Sequence, residues 1–264
     1  MKENAIKFLY AIDCYLLYLL SGVAAAAGVV AYYSVMTVLD YGNIGEEFDS
    51  QSFVQYIADF VSGKSSVVLL VSYVIILTVL VLFFAIRRKS LSSYTGLSYA
   101  SFLSVFFSAV LGVMLSLLTY ALTPEVTSEA VSVDAVLVLC VILGPIVEEL
   151  VFRGVLLKMF SGSCGIVAGT LVTSLLFSLS HTEPVQIVYS FILGVILCVV
   201  RVKSTSLWSV VLMHLAFNIT GAISAFVCPE LSFYAITGLF AVSLIMFIAA
   251  CSGGRKLPAR KMKK

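Results

Sequence analysis

The sequence predicts an all-α, polytopic membrane protein: a transmembrane helix bundle of about eight spans with both termini cytoplasmic. Three observations carry that expectation. Hydrophobic residues make up 61% of the 264 and charged residues 11%, whereas a water-facing domain carries about 25% charge. Several apolar runs reach the roughly 20 residues that a helix needs to cross the hydrocarbon core. Those runs lack the polar/apolar alternation of a barrel strand, which excludes an outer-membrane β-barrel.

Taken in order, the first apolar run covers residues 8–39, longer than one straight crossing, so tilt or an interfacial first turn must absorb the excess. Residues 1–30 show no small-residue cleavage site after a short apolar core and read as an uncleaved span. Asp13 lies near its start, where it can snorkel with Lys7. A polar segment follows, in which 53–61 is amphipathic enough to lie on a membrane surface. The second span, 67–86, ends in Arg87-Arg88-Lys89, and the third is 101–122. The fourth, 133–160, is broken by Ser161-Gly162-Ser163, and the fifth runs 165–181. Thr182-Glu183-Pro184 links to the sixth, 185–200, stopped by Arg201 and Lys203. The seventh is 207–227; Cys228-Pro229-Glu230 turns into the eighth, 231–251, and a basic tail follows.

With this count Lys2, Lys7, Arg87, Arg88, Lys89, Lys158, Arg201, Lys203 and the tail fall on one side. The other side holds Lys64 against a row of acids that includes Glu46, Asp59, Glu125, Glu183 and Glu230. Lys/Arg bias sets orientation and so assigns the termini to the cytoplasm. The chain reads as one integral-membrane domain over 1–264, without soluble domain or internal repeat. The six cysteines are scattered without CxxC spacing and read as small buried hydrophobes.

Chemistry concentrates in the fourth span, at Val147-Glu148-Glu149-Leu150-Val151-Phe152-Arg153. Each such charge costs roughly 2.5–3.5 kcal/mol at a helix centre, and intramembrane ionisable groups mark functional sites. Glu149 and Arg153 are spaced i, i+4 and can pair as carboxylate and guanidinium, a structural staple. Glu148 projects roughly 100° away and needs another partner, which makes it the candidate general base. Pro145 frees the carbonyl of Val141 and suits a bend beside a cavity.

The chain has only two histidines, His181 and His214, both in or at the end of apolar spans. Asn218 lies i+4 from His214, so the two can face one cavity. Two imidazoles and a carboxylate (His181, His214, Glu148) make a common catalytic zinc set that leaves a position for water. Without metal, Glu148 would activate water directly while His214 and Asn218 polarise the carbonyl. Counted along straight helices, Glu148 and His214 lie about 13–15 Å from the cytoplasmic helix ends and His181 about 24 Å. The fifth helix must then be tilted or start deeper for His181 to join the site.

The motifs Glu148-Glu149-x-x-x-Arg153, Phe177-x-x-x-His181 and His214-x-x-x-Asn218 resemble the three signatures of the CPBP (CAAX protease and bacteriocin-processing, or Abi) family. The likeness spans 143–221 within a core of about 133–226, and the first three spans and the last are family-neutral. The resemblance implies an intramembrane endopeptidase, with Glu148 as catalytic glutamate. His181, His214 and Asn218 would be metal-binding or oxyanion partners, with Glu149, Arg153 and Phe177 in support. It implies water activated by glutamate, by zinc or by both, and a membrane-embedded or lipid-anchored peptide or protein substrate, prenylated or bacteriocin-like. The expected setting is the cell membrane, with no nucleic-acid partner. Two other readings remain open: a non-catalytic scaffold or bacteriocin-immunity protein of the same fold, and a proton-coupled carrier using Glu148, which the lack of repeat symmetry weakens.

Overall fold

In lipid, continuously apolar chain can satisfy its backbone polar groups only as helices or closed barrels. The computed structural model describes residues 2–41, 51, 54–55, 65–86, 101–123, 135–227 and 233–253. Among these described residues it is all helical, with no strand. The helices are α1 (Lys2–Tyr41), α2 (Ser65–Ile86), α3 (Phe102–Leu122) and α4 (Ala135–Glu149), then a π-helical segment (Leu150–Leu156) that passes directly into α5 (Leu157–Cys164). They continue as α6 (Ile166–Ser178), α7 (Pro184–Ser204), α8 (Leu207–Val227) and α9 (Phe233–Gly253). Six of these, α1, α2, α3, α7, α8 and α9, contain stretches long and apolar enough to cross a membrane. The protein is a multi-pass helical membrane bundle. The expected fourth span is the continuous α4–π–α5 rod, and the expected fifth is α6, only 13 residues long.

Local chemistry explains the ends. The break expected at Ser161–Ser163 lies later, at Gly165, whose φ of +87° is open to glycine at no steric cost. Ser163 and Cys164 instead donate to the carbonyls of Met159 and Phe160 and extend α5 by a turn. A Cβ on Gly169 would lie 2.6 Å from the Ser161 nitrogen, so a bare α-carbon lets α6 fold back along α5. Pro184 opens α7, where a missing N–H costs nothing. Thr205 closes that helix in the left-handed region, with Arg201 and Lys203 in its last turn.

The core is built around α8, which packs on α3, α4 and α7. A Cβ on Gly112 would collide with the Met213 carbonyl, so α3 meets α8 at backbone contact one residue from His214. On the other side α1 packs on α2 and α5, and Tyr15 Oη donates to the Leu176 carbonyl at 3.1 Å, tying α1 to α6. Cys14, Cys140, Cys198 and Cys251 are buried as expected of small hydrophobes, whereas Cys164 is exposed. The surface-lying stretch expected at 53–61 falls almost wholly outside the described residues. So do Arg87–Lys89, the acids of the third loop, Cys228 and the basic tail.

Candidate active site

The expected staple is present and fully enclosed. Glu149 and Arg153 are 0% and 1% exposed, and Arg153 NH1 donates to Glu149 Oε1 at 2.7 Å. The π-helical segment begins just after Glu149 and contains Arg153, and every one of its side chains is buried. Such segments break helical register and favour functional sites. Pro145 lies within α4, one turn upstream. Arg153 NH2 reaches the Gly194 carbonyl on α7 at 3.2 Å, and its guanidinium stands over the Phe177 ring, 4.3 Å from the centroid. A guanidinium so enclosed is balanced by a carboxylate, a carbonyl and a π face.

The staple has a third member that spacing does not reveal. His214 Nδ1 lies 2.8 Å from the same Glu149 Oε1 that Arg153 engages. That oxygen accepts, so Nδ1 carries a proton and donates it. Nε2 in turn lies 3.9 Å from Glu148 Oε2. One imidazole therefore stands between two adjacent carboxylates, the buried Glu149 holding its back and the partly exposed Glu148 facing its front. Glu148 Oε1 accepts from Tyr73 Oη on α2 at 3.2 Å.

His181 reaches the site from a turn. Helix α6 ends at Ser178, and the backbone N–H groups of Ser180 and His181 bond to the Phe177 and Ser178 carbonyls. The fifth span therefore does not run straight to His181 as one helix: its last residues lie in a turn. His181 Nδ1 donates to the Phe177 carbonyl at 3.0 Å. Phe177, 0% exposed, is a hub: edge-on to His181 (5.1 Å) and His214 (5.7 Å), and face-on to Arg153. Asn218 lies one turn beyond His214 on α8.

Glu148, His181, His214 and Asn218 all line one cavity of about 630 Å³. Its walls also include Tyr18 of α1, Tyr73 of α2 and Gln186 and Tyr189 of α7. Every expected site residue therefore meets there or, for Glu149, Arg153 and the body of Phe177, directly behind it. Sequence reasoning missed Tyr73, the Gly194 carbonyl and the bond between Glu149 and His214. The only trace of the first is a tyrosine in the middle of a strongly apolar span.

Among the described residues no three His, Cys, Asp or Glu side chains form a group that could hold a metal ion. Glu148 and His214 offer two donors 3.9 Å apart, and the His214 nitrogen not facing Glu148 is held by Glu149.

Residues 131–220 match the family model described as type II CAAX prenyl endopeptidase Rce1-like. That match is to the CPBP/CAAX protease family which the three motifs resemble, and it encloses all of them. No curated protein and no solved structure matches the chain.

Proposed function

We propose that this chain is an intramembrane endopeptidase that hydrolyses a peptide bond in a membrane-embedded or lipid-anchored substrate. One observation carries the reading: Glu148 Oε2 and His214 Nε2 face each other across 3.9 Å at the wall of a cavity that also holds His181 and Asn218. A water oxygen can hydrogen-bond both atoms, since two bonds of about 2.8 Å bridge that gap. Held so, the water oxygen bonds to the scissile carbonyl carbon while its proton passes to Glu148 Oε2. The carbonyl π pair moves to oxygen, and the Asn218 amide donates to the resulting oxyanion. Collapse re-forms the carbonyl and breaks the C–N bond, and Glu148 returns the proton to the leaving nitrogen.

The other residues position these. Glu149, anchored by Arg153, fixes the tautomer of His214 so that its acceptor nitrogen faces the water. His181, locked by the Phe177 carbonyl, presents a second acceptor at the same wall. All these steps use groups of this chain. The match to a CAAX prenyl endopeptidase family supports a substrate with a prenylated C-terminus, and the cytoplasmic membrane with both termini inside is the setting that fits the charge bias.

The test is turnover of an internally quenched, farnesylated peptide ending in a CAAX tetrapeptide by purified protein in liposomes. Wild type is expected to cleave it and Glu148→Gln to be inactive while keeping its helical circular dichroism and thermal midpoint. Full cleavage by Glu148→Gln sinks the mechanism. Peptide bound equally by both, with no cleavage by either, would instead favour a non-catalytic scaffold.

A further inference from the structure

Helix α2 lies outside residues 131–220, yet it supplies a hydrogen bond to Glu148. Tyr73 Oη donates to Oε1 at 3.2 Å, on the carboxylate oxygen that does not face His214. The neighbouring hydroxyl, Ser72, bonds back to the Val68 carbonyl at 2.8 Å. Tyr73 is therefore the side chain with which α2 holds the carboxylate.

The approach is built into the opposing helix. Gly144 stands one turn before Glu148, and a Cβ there would lie 2.7 Å from Tyr73 Oη and 3.0 Å from Cζ. Real Cβ contacts essentially never come so close to an oxygen, and the tyrosine ring leans on bare backbone. Any side chain at 144 would push the hydroxyl away from Oε1.

We propose that Tyr73 is a positioning residue for the reaction, with Gly144 as its seat. Its hydroxyl grips Glu148 by Oε1, so that Oε2 is left to face His214 Nε2 and take the proton of the attacking water. Tyr73 keeps its own proton throughout and forms no bond to substrate. The inference rests on the proposed role of Glu148 as base, and it extends the machinery onto a helix that the family match does not reach.

The experiment compares wild type, Tyr73→Phe, Gly144→Ala, the double variant and Glu148→Gln on the farnesylated quenched peptide. Tyr73→Phe is expected to lower kcat about 10- to 100-fold, the size of a lost hydrogen bond to a charged group, with KM within about 3-fold. Gly144→Ala should lower kcat in the same way and add less than about 3-fold in the Tyr73→Phe background. A kcat for Tyr73→Phe within about 2-fold of wild type overturns the proposal while the role of Glu148 stands. Activity in Glu148→Gln overturns that role instead. Infrared difference spectra give a readout independent of turnover: the carboxylate band missing in Glu148→Gln should shift in Tyr73→Phe, and an unshifted band overturns the proposal.

Discussion

Helices α8 and α9 are both 21 residues long and both pack on α3, yet they are opposites. In α8, 44% of the span is buried; in α9, 17%. The first carries His214 and Asn218 into a cavity. The second carries no charge, and its Thr237 and Ser243 hydroxyls bond back to their own helix. A membrane helix can hold working polar groups only where neighbours enclose them, because lipid offers no hydrogen bond. Glycine draws the line: Gly112 brings α3 to backbone contact with α8, while Gly238 on α9 has nothing within 4 Å of where a Cβ would be.

Substitutions on each side sharpen or break that contrast. The largest effect is expected at the cavity, where Glu148→Gln should cost about 10³-fold or more in kcat/KM without lowering the unfolding midpoint. Next is Arg153→Met, which leaves Glu149 buried beside His214 with no guanidinium. Breaking a buried pair costs about 3–5 kcal/mol, visible as a large drop in thermal midpoint in detergent. Gly112→Ala should cost about 1–3 kcal/mol by driving α3 off α8, and it should lower activity because the displaced backbone adjoins His214. The same change at Gly238 should be neutral or stabilising by up to about 1 kcal/mol. Equal losses at both glycines would abolish the distinction between the two helices. Chelation tests the chemistry of the enclosed side: turnover should survive it, with no stoichiometric zinc by elemental analysis. Loss of turnover on chelation, restored by zinc, would mean that Glu148 and the histidines gather around a metal in the working enzyme.

Much of this was legible in the sequence, for reasons that particular residues show. Helix positions followed from uninterrupted apolar runs, and Glu149–Arg153 from i, i+4 spacing, both local properties of the chain. Glu148, His181, His214 and Asn218 stood out because polar groups are costly in lipid. What stayed hidden was three-dimensional. That Glu149 serves His214 as well as Arg153 depends on the approach of α8 to α4. Tyr73 meets Glu148 across 75 positions of sequence. The end of α6 was misplaced because Leu179 continues an apolar run that the backbone leaves in a turn.

The shortness of α6 has a consequence for the surrounding lipid. Thirteen residues rise about 20 Å, against a hydrocarbon thickness of about 30 Å. Irregular backbone at such depth is tolerated only against protein or a wetted hollow, and Ser180, His181 and Thr182 do line the cavity. Hydrophobic mismatch is thus concentrated on one flank of the bundle, where acyl chains must shorten or water must enter. Thicker bilayers should penalise the protein there first, making acyl-chain length a control on how readily water reaches Glu148.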